Sequence, residues 1–162
     1  MPEFQAKAVT WEDMEIGSEI STIHCYVTPA DIEAAADLFH DDNPLYYSPT
    51  FARSSEWGGT IAPFYFLDSS FRWATFLARG GKRTKNFTIN AHGVLESFLP
   101  IRPGDQLVGK MFVHEKYVKR DKKFLTWRIE LRNEEGELVA RKFWTSYWTD
   151  REIVFPKKEV FR

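Results

Sequence analysis

The clearest pattern in the chain is an alternation of apolar and polar residues in its second half. Within 125–131 every second residue is apolar: Leu125, Trp127, Ile129 and Leu131. This period of two is typical of a strand with one buried face. Comparable apolar segments predict four further strands: 16–27, 87–98, 107–118 and 138–149. Gly-containing turns at 102–105 and 133–136 separate the later strands, which predicts an antiparallel sheet.

Two helices are predicted in the first half. Thr28, Pro29 and Asp31 supply a capping hydroxyl, a proline at the first position and an acid in the first turn, so they mark a helix start. Four apolar residues then share one helical face: Ile32, Ala35, Ala36 and Phe39. The second helix, 63–79, is apolar around most of its circumference, which is typical of a helix surrounded by other structure.

The segment 41–62 contains prolines and glycines and is predicted to be irregular. The resulting order is strand, helix, long loop, apolar helix and four strands. A sheet that wraps the apolar helix accounts both for that helix and for the strands that follow it. We therefore predict an α+β fold and one hot-dog domain over 1–162, with a curved antiparallel sheet around a long central helix. A free sheet edge in such a domain predicts a dimer or larger assembly.

The composition excludes several classes of function. The 22 basic and 23 acidic residues give a net charge of −1, which does not favour nucleic acid or an anionic membrane as partner. Cys25 is the only cysteine, so an internal disulfide is impossible, and the histidines have no metal-site spacing. No signal-like or membrane-spanning run is present. We expect a cytoplasmic protein without metal or cofactor.

Three motifs carry a resemblance to a known family. They are Asp-Asp-Asn-Pro-Leu-Tyr at 41–46, Trp-Gly-Gly-Thr-Ile-Ala-Pro at 57–63 and Leu-Pro-Ile-Arg-Pro-Gly-Asp at 99–105. In this order they resemble the MaoC-like dehydratases and (R)-specific enoyl-CoA hydratases, in particular the N-terminal, FAS1-like dehydratase branch. The resemblance spans about Trp11 to Trp148. It implies hydration of trans-2-enoyl thioesters of CoA or acyl carrier protein, or dehydration of the matching 3-hydroxyacyl thioesters.

The resemblance also implies catalytic residues, with one departure. The family's aspartate falls on Asp41, its asparagine on Asn43 and its proline on Pro44, but its histidine position is occupied by Tyr46. In the family the aspartate and histidine hold a water and move the two protons of the reaction. A tyrosine, with an ordinary pKa of about 10, donates a proton but is a poor base. Asp41 and Tyr46 are the predicted catalytic residues, and Tyr46 predicts impaired activity for the chain alone.

Substrate-binding residues are predicted from the same motifs. They are Asn43, Gly58, Gly59, Ile61, Ala62, Pro63 and His92. The resemblance implies backbone N–H donors for the thioester carbonyl at the start of the central helix, near 61–64. Each site residue also has a structural alternative. Asp41 and Asn43 are turn formers, Gly58 and Gly59 suit a tight turn, and His92 fits a sheet position.

Four functions remain open at this point. The first is a subunit of an enoyl-thioester hydratase or 3-hydroxyacyl-thioester dehydratase, whose second hot-dog chain supplies the intact Asp/His pair. The second is a self-sufficient enzyme that uses Asp41 with Tyr46 or His92. The third is a non-catalytic module for acyl-thioester binding or assembly. The fourth is a hot-dog thioesterase, because one fold hosts several activities.

Overall fold

The strands form most of the structure. The computed structural model describes residues 8–9, 11–68, 89–148, 153–154 and 159–161. The described strands are β1 Ala8–Val9, β2 Glu19–Tyr26, β3 Ile89–Ser97, β4 Gln106–Lys119, β5 Lys122–Arg132, β6 Leu138–Trp148, β7 Ile153–Val154 and β8 Glu159–Phe161. The helices with both ends described are α1 Pro29–Leu38, α2 Pro44–Tyr47 and α3 Pro49–Ser54.

Six strands form one open sheet in the order β3-β6-β5-β4-β2-β8. The five long strands pair antiparallel, as predicted, and β8 adds to the outer side of β2 in parallel. The strand β3 pairs with β6 and not with its sequence neighbour β4. The segment 98–105 therefore crosses the end of the sheet, past β6 and β5, before β4 begins. This crossing places its residues at one end of the concave face.

The predicted start of α1 is confirmed. Thr28 Oγ1 accepts the Asp31 N–H at 3.2 Å, and Asp31 Oδ2 accepts the Thr28 N–H at 3.0 Å, which is a capping box. Ile32, Ala35 and Ala36 are buried, as their spacing predicts. Phe39, the fourth residue of that face, caps the C-terminus of α1 and remains 46% exposed.

The segment predicted to be irregular contains two short helices, so that prediction was wrong. Asn43 caps α2 by accepting the Leu45 N–H, and Ser48 caps α3 by accepting the Phe51 N–H. Each cap is followed directly by a proline, Pro44 or Pro49. A polar cap followed by proline is a strong start signal even for one turn of helix.

The predicted central helix is described only at its beginning. Helical structure begins at Phe66 and continues through Asp68, while residues 69–79 of the predicted helix lie outside the described residues. Phe66 and Leu67 are fully buried against the sheet. Phe64, predicted on the apolar helix, lies in the preceding turn and is 67% exposed. No helix within the described residues is both long and apolar enough to span a bilayer.

The core lies on the concave face of the sheet. The alternating residues of β5 are all buried there, as predicted: Leu125, Trp127, Ile129 and Leu131. They pack with residues from α1, from the start of the central helix and from the segment 98–105. The hot-dog arrangement predicted from the sequence is therefore confirmed, and its helix side leaves room at one end for a cavity.

Candidate functional site

A cavity of about 380 Å³ opens between the start of the central helix and the crossing segment. This volume is at the lower end of the range for small-molecule sites. Most of the lining side chains are apolar or aromatic. The cavity is lined by Leu45, Tyr46, Trp57, Ile61, Ala62, Pro63, Phe64, Ser97, Phe98, Leu99, Pro100, Ile101 and Ala140. All three motifs that carry the family resemblance contribute to this lining.

The end of α1 positions Asp41, which does not itself line the cavity but interacts electrostatically with the lining residue Tyr46. His40 adopts a positive φ of 53°, which reverses the chain direction after the helix. The His40 N–H then donates to the Asp37 carbonyl and the Asp41 N–H donates to the Ala36 carbonyl. This pair of bonds is the Schellman arrangement, which satisfies the last carbonyls of the helix. The backbone at Asp41 is therefore fixed by the helix end.

The carboxylate of Asp41 is held by two donors. Tyr65 Oη donates to Asp41 Oδ2 at 2.7 Å, and the Asn43 N–H donates to Asp41 Oδ1 at 3.2 Å. Tyr65 is buried, and its ring packs on Phe39 with the ring centroids 4.3 Å apart. Burial raises the pKa of the Tyr65 phenol far above its usual range, and the hydrogen bond to Asp41 raises it further. Tyr65 therefore keeps its proton and is a fixed hydrogen-bond donor to the carboxylate.

Tyr46 connects Asp41 with the cavity. Its side chain lines the cavity and packs against the core. Burial raises the pKa of the Tyr46 phenol, and the charge of Asp41 raises it further. Because a raised pKa keeps the phenol protonated at neutral pH, Tyr46 is a hydrogen-bond donor there and not a base. The side chain that stands at the family's histidine position thus faces the cavity without supplying imidazole chemistry.

The predicted binding residue Asn43 braces the loop. Its side-chain Oδ1 accepts the Leu45 N–H at 3.0 Å, and its backbone N–H holds Asp41. Both contacts are of the local Asx type that the structural alternative predicts. Asn43 therefore acts on the site through the position of Asp41.

Gly58 and Gly59 lie in the loop between two cavity residues, Trp57 and Ile61. Gly58 has a φ of +65°, a conformation that side chains disfavour, so glycine is required there. The guanidinium of Arg102 fixes this loop, because it donates to the Trp57 carbonyl at 2.8 Å. A Cβ on Gly59 would lie 3.5 Å from that guanidinium. The loop is thus anchored to the crossing segment that forms the opposite side of the cavity.

Ile61, Ala62 and Pro63 line the cavity, but their backbone donors differ from the expectation. The Ala62 N–H donates to the Ile101 carbonyl at 2.7 Å, and proline has no N–H. Ala62 and Pro63 therefore contribute surface to the cavity, while neither supplies a donor to a bound carbonyl. Within the described residues, no hydrogen-bond acceptor contacts the Phe64 N–H, which leaves Phe64 as a donor at the helix start.

The structure does not bring His92 to this site. His92 is exposed in β3 and lies opposite Thr145 of β6. Ser97, the cavity residue of the same strand, is about 16 Å away along the strand at a rise of ~3.3 Å per residue. His92 is therefore not among the side chains that line the cavity.

Tyr65 is a site residue that the sequence reasoning missed. It follows the second motif by two positions, among aromatic residues that the helical pattern assigns to the core. Its partner Asp41 lies 24 residues away, so no local spacing connects them. The only available signal is its place just after the helix start, where the resemblance already predicts substrate contacts.

These groups can orient a water and a thioester. Asp41 is a carboxylate with fixed geometry, Tyr46 is a phenol donor in the cavity wall, and the Phe64 N–H lies at the positive end of the central helix. A fixed carboxylate suits proton transfer to or from water, and the donors suit a carbonyl oxygen that gains charge. Among the described residues, no group of three or more His, Cys, Asp or Glu side chains is arranged to bind a metal.

Solved structures with the same fold include several hydratases and dehydratases. The R-hydratase PhaJ1 from Pseudomonas aeruginosa is 17% identical, with a TM-score of 0.72 over 91% of this chain and 90% of that chain. A MaoC-like dehydratase from Rhodospirillum rubrum is 25% identical, with a TM-score of 0.70 over 90% of this chain and 99% of that chain. No curated protein matches the sequence.

The similar structures include complexes. The HadBC complex from Mycobacterium tuberculosis, a 3R-hydroxyacyl-ACP dehydratase, matches with a TM-score of 0.64 at 17% identity. The match covers 82% of this chain and all of that one. This similarity is one of fold.

The family assignment comes from the sequence itself. Residues 14–142 match the model of the FAS1-like dehydratase domain region. This range contains Asp41, Tyr46, Tyr65 and every residue that lines the cavity. The chain belongs to the FAS1-like dehydratase domain region family, within the MaoC-like hot-dog dehydratases.

Proposed function

We propose that this chain is a subunit of an enoyl-thioester hydratase or 3-hydroxyacyl-thioester dehydratase. Its substrate is a thioester of CoA or acyl carrier protein, whose acyl chain occupies the apolar cavity. The observation that carries the proposal is the fixed carboxylate of Asp41 behind a cavity wall formed by Tyr46. A second hot-dog chain supplies the imidazole that this chain lacks.

The reaction has two proton transfers. In hydration, the water oxygen bonds to Cβ of the enoyl thioester while Asp41 accepts one proton of that water. The electron pair of the double bond moves to Cα, which takes a proton from the imidazolium of the second chain. The carbonyl oxygen carries the intermediate charge, and in this proposal the Phe64 N–H stabilises it by a hydrogen bond. Dehydration follows the same steps in reverse.

The two phenols support this assignment of roles. Tyr65 donates to Asp41 and leaves the remaining lone pairs of the carboxylate for water. Tyr46 keeps its proton at neutral pH because its pKa is raised. Neither phenol acts as the second acid–base group at neutral pH, since each would need to release its proton and regain it in every turnover. The proposal therefore places that group on another chain.

Steady-state hydration of crotonyl-CoA tests the proposal. The chain is purified alone, and separately after co-expression with hot-dog proteins encoded beside it, and the loss of the enoyl absorbance is followed. We expect little activity from the chain alone and a large gain in the complex. Full activity of the isolated chain would disprove the need for a partner. Equal activity of the complex with native Asp41 and with Asp41→Asn would disprove the role of Asp41.

The alternative is a non-catalytic acyl-thioester-binding module, and one observation favours it. The position of the family's histidine is occupied by a protonated phenol, which fits binding as well as it fits a half-site. The two functions differ in one result. A binding module holds acyl-CoA in calorimetry, and neither the chain nor any complex containing it hydrates crotonyl-CoA.

A further inference from the structure

A charged pair lies between the central helix and the concave face of the sheet. Asp68, at the start of the helix, accepts a hydrogen bond from Lys142 Nζ of β6. The two side chains are 30% and 17% exposed, so both are largely withdrawn from water. The pair takes no part in the chemistry proposed above.

The surroundings of Lys142 are unusual for a cation. Its register neighbours on the two adjacent strands are Leu95 and Ile129, which belong to or pack against the core. Burial lowers the pKa of Lys142, because water is replaced by apolar neighbours. Replacing a buried ion pair with apolar residues is often neutral or stabilising. Stability alone therefore does not explain a lysine on this face.

Both walls of the cavity lead to this pair. Ala140 lines the cavity, and Lys142 is the next residue on the same face of β6, about 7 Å further along the strand. On the helix side, Phe64 lines the cavity from the preceding turn, and Asp68 follows four residues later, after the helix has begun at Phe66. The pair therefore joins the helix to β6 just beyond the described lining of the cavity.

We infer that the Asp68–Lys142 pair closes the inner end of the cavity and restricts the site to short acyl chains. This inference rests on the proposed function. An acyl chain that grows beyond Ala140 meets two charged groups that already satisfy each other. Insertion of further methylene groups would separate the pair or leave its charges without water, and both are unfavourable. The substrate class is therefore thioesters of short-chain acids.

Calorimetric binding of butanoyl-CoA and decanoyl-CoA measures this restriction. The native chain, alone and in complex with its second hot-dog chain, should bind decanoyl-CoA no more tightly than butanoyl-CoA. The double variant Asp68→Ala/Lys142→Ala removes both charges together and opens the end of the cavity. We expect it to bind decanoyl-CoA more tightly by about tenfold or more relative to butanoyl-CoA, since each newly buried methylene adds affinity.

A matched control removes a charged pair elsewhere. Glu19 and Lys110 pair at 3.1 Å between β2 and β4, two strands that give the described cavity no lining residue. The variant Glu19→Ala/Lys110→Ala should keep the native ratio of the two affinities.

A second variant should change the ratio of the two affinities in the opposite direction. Ala140→Leu narrows the cavity just before the pair, so it should weaken decanoyl-CoA binding more than butanoyl-CoA binding.

The outcomes separate the inference from the proposed function. The inference is overturned if the native chain binds decanoyl-CoA about tenfold more tightly than butanoyl-CoA, because the cavity then has no closed end. An unchanged ratio in the folded double variant also overturns it. If the double variant does not fold, the inference is overturned when Ala140→Leu changes the affinities for butanoyl-CoA and decanoyl-CoA equally. No binding of either thioester by the native protein overturns the proposed function, and the inference with it.

Discussion

Two tyrosines make the same chemical contact in very different surroundings. Tyr65 donates to Asp41 at 2.7 Å, and Tyr47 donates to Asp37 at 2.7 Å. The first pair is packed beside the cavity with the Tyr65 side chain buried, whereas the second lies on the surface beside α1. The bond lengths alone do not distinguish them. The comparison shows that burial, and the access of a substrate, decide which carboxylate is a functional candidate.

The largest difference is expected from replacement of the two carboxylates. Asp41→Asn keeps the shape of the side chain but removes the base, so kcat for crotonyl-CoA hydration by the active complex should fall about 10²- to 10⁴-fold. Asp37→Asn makes the equivalent change on the surface and should leave kcat near the native value. The comparison fails if both variants lose activity equally, because Asp41 then has no special role.

A smaller difference is expected from the phenols. Tyr65→Phe removes one hydroxyl and leaves Asp41 less firmly oriented, so kcat should fall roughly ten- to hundredfold while KM changes little. The free energy of unfolding in urea should also fall by about 1–2 kcal/mol, because the lost bond ends on a charged group in a buried setting. Tyr47→Phe should leave kcat unchanged and should lower the free energy of unfolding by less than Tyr65→Phe does, because the Tyr47–Asp37 bond is exposed to water. Unchanged kcat in Tyr65→Phe would show that Asp41 is fixed by its backbone contacts alone.

The sequence predicted the scaffold well but not these contacts. The strands, the start of α1 and the turn at 102–105 follow from periods and turn residues that act over a few positions. The motif at 41–46 contributes Leu45 and Tyr46 to the cavity lining, while the catalytic role of Asp41 stays a prediction. The bond from Tyr65 joins residues 24 positions apart, and the Asp68–Lys142 pair joins residues 74 positions apart. Both contacts depend on how the central helix packs on the sheet. A pattern of neighbouring residues carries no information about that packing.

The two short helices show a different kind of failure. Prolines at 44 and 49 correctly predict that α1 ends, but each also begins a new turn of helix behind a polar cap. A helical repeat of apolar residues cannot be recognised in a segment of four to six residues. The capping residues Asn43 and Ser48 were therefore the features that indicated these helices. The pairing of β3 with β6 likewise could not be predicted from the sequence pattern, since strand order is fixed by the packing of the whole sheet.

The smallest effect concerns the ionisation of the two phenols. Of the two tyrosine–aspartate pairs, only the surface pair Tyr47–Asp37 should lose its phenol proton near pH 11. The hydrogen bond from Tyr47 to Asp37 raises the pKa of Tyr47 to about 12, above an unfolded value of about 10. The neutral phenol is the stabilised form, so its contribution is complete below pH ~10 and is lost as the pH rises through the folded value. Ultraviolet titration should detect Tyr47 phenolate well before Tyr65 phenolate. In Asp37→Asn the Tyr47 transition should move to lower pH, while titration of both phenols together would contradict the burial of Tyr65.

The crossing segment 98–105 has a practical consequence for engineering the chain. Its backbone joins Val27 at the end of β2 and Ala62 before the central helix, and its Arg102 side chain holds the Trp57 carbonyl. A peptide tag or fluorescent label inserted there would disconnect three parts of the molecule at once. The turn between β4 and β5, at Arg120 and Asp121, lies at the other end of these strands, where Lys119 pairs with Lys122. Fusions and surface immobilisation therefore belong at that turn, away from the cavity residue Ala140 at the start of β6.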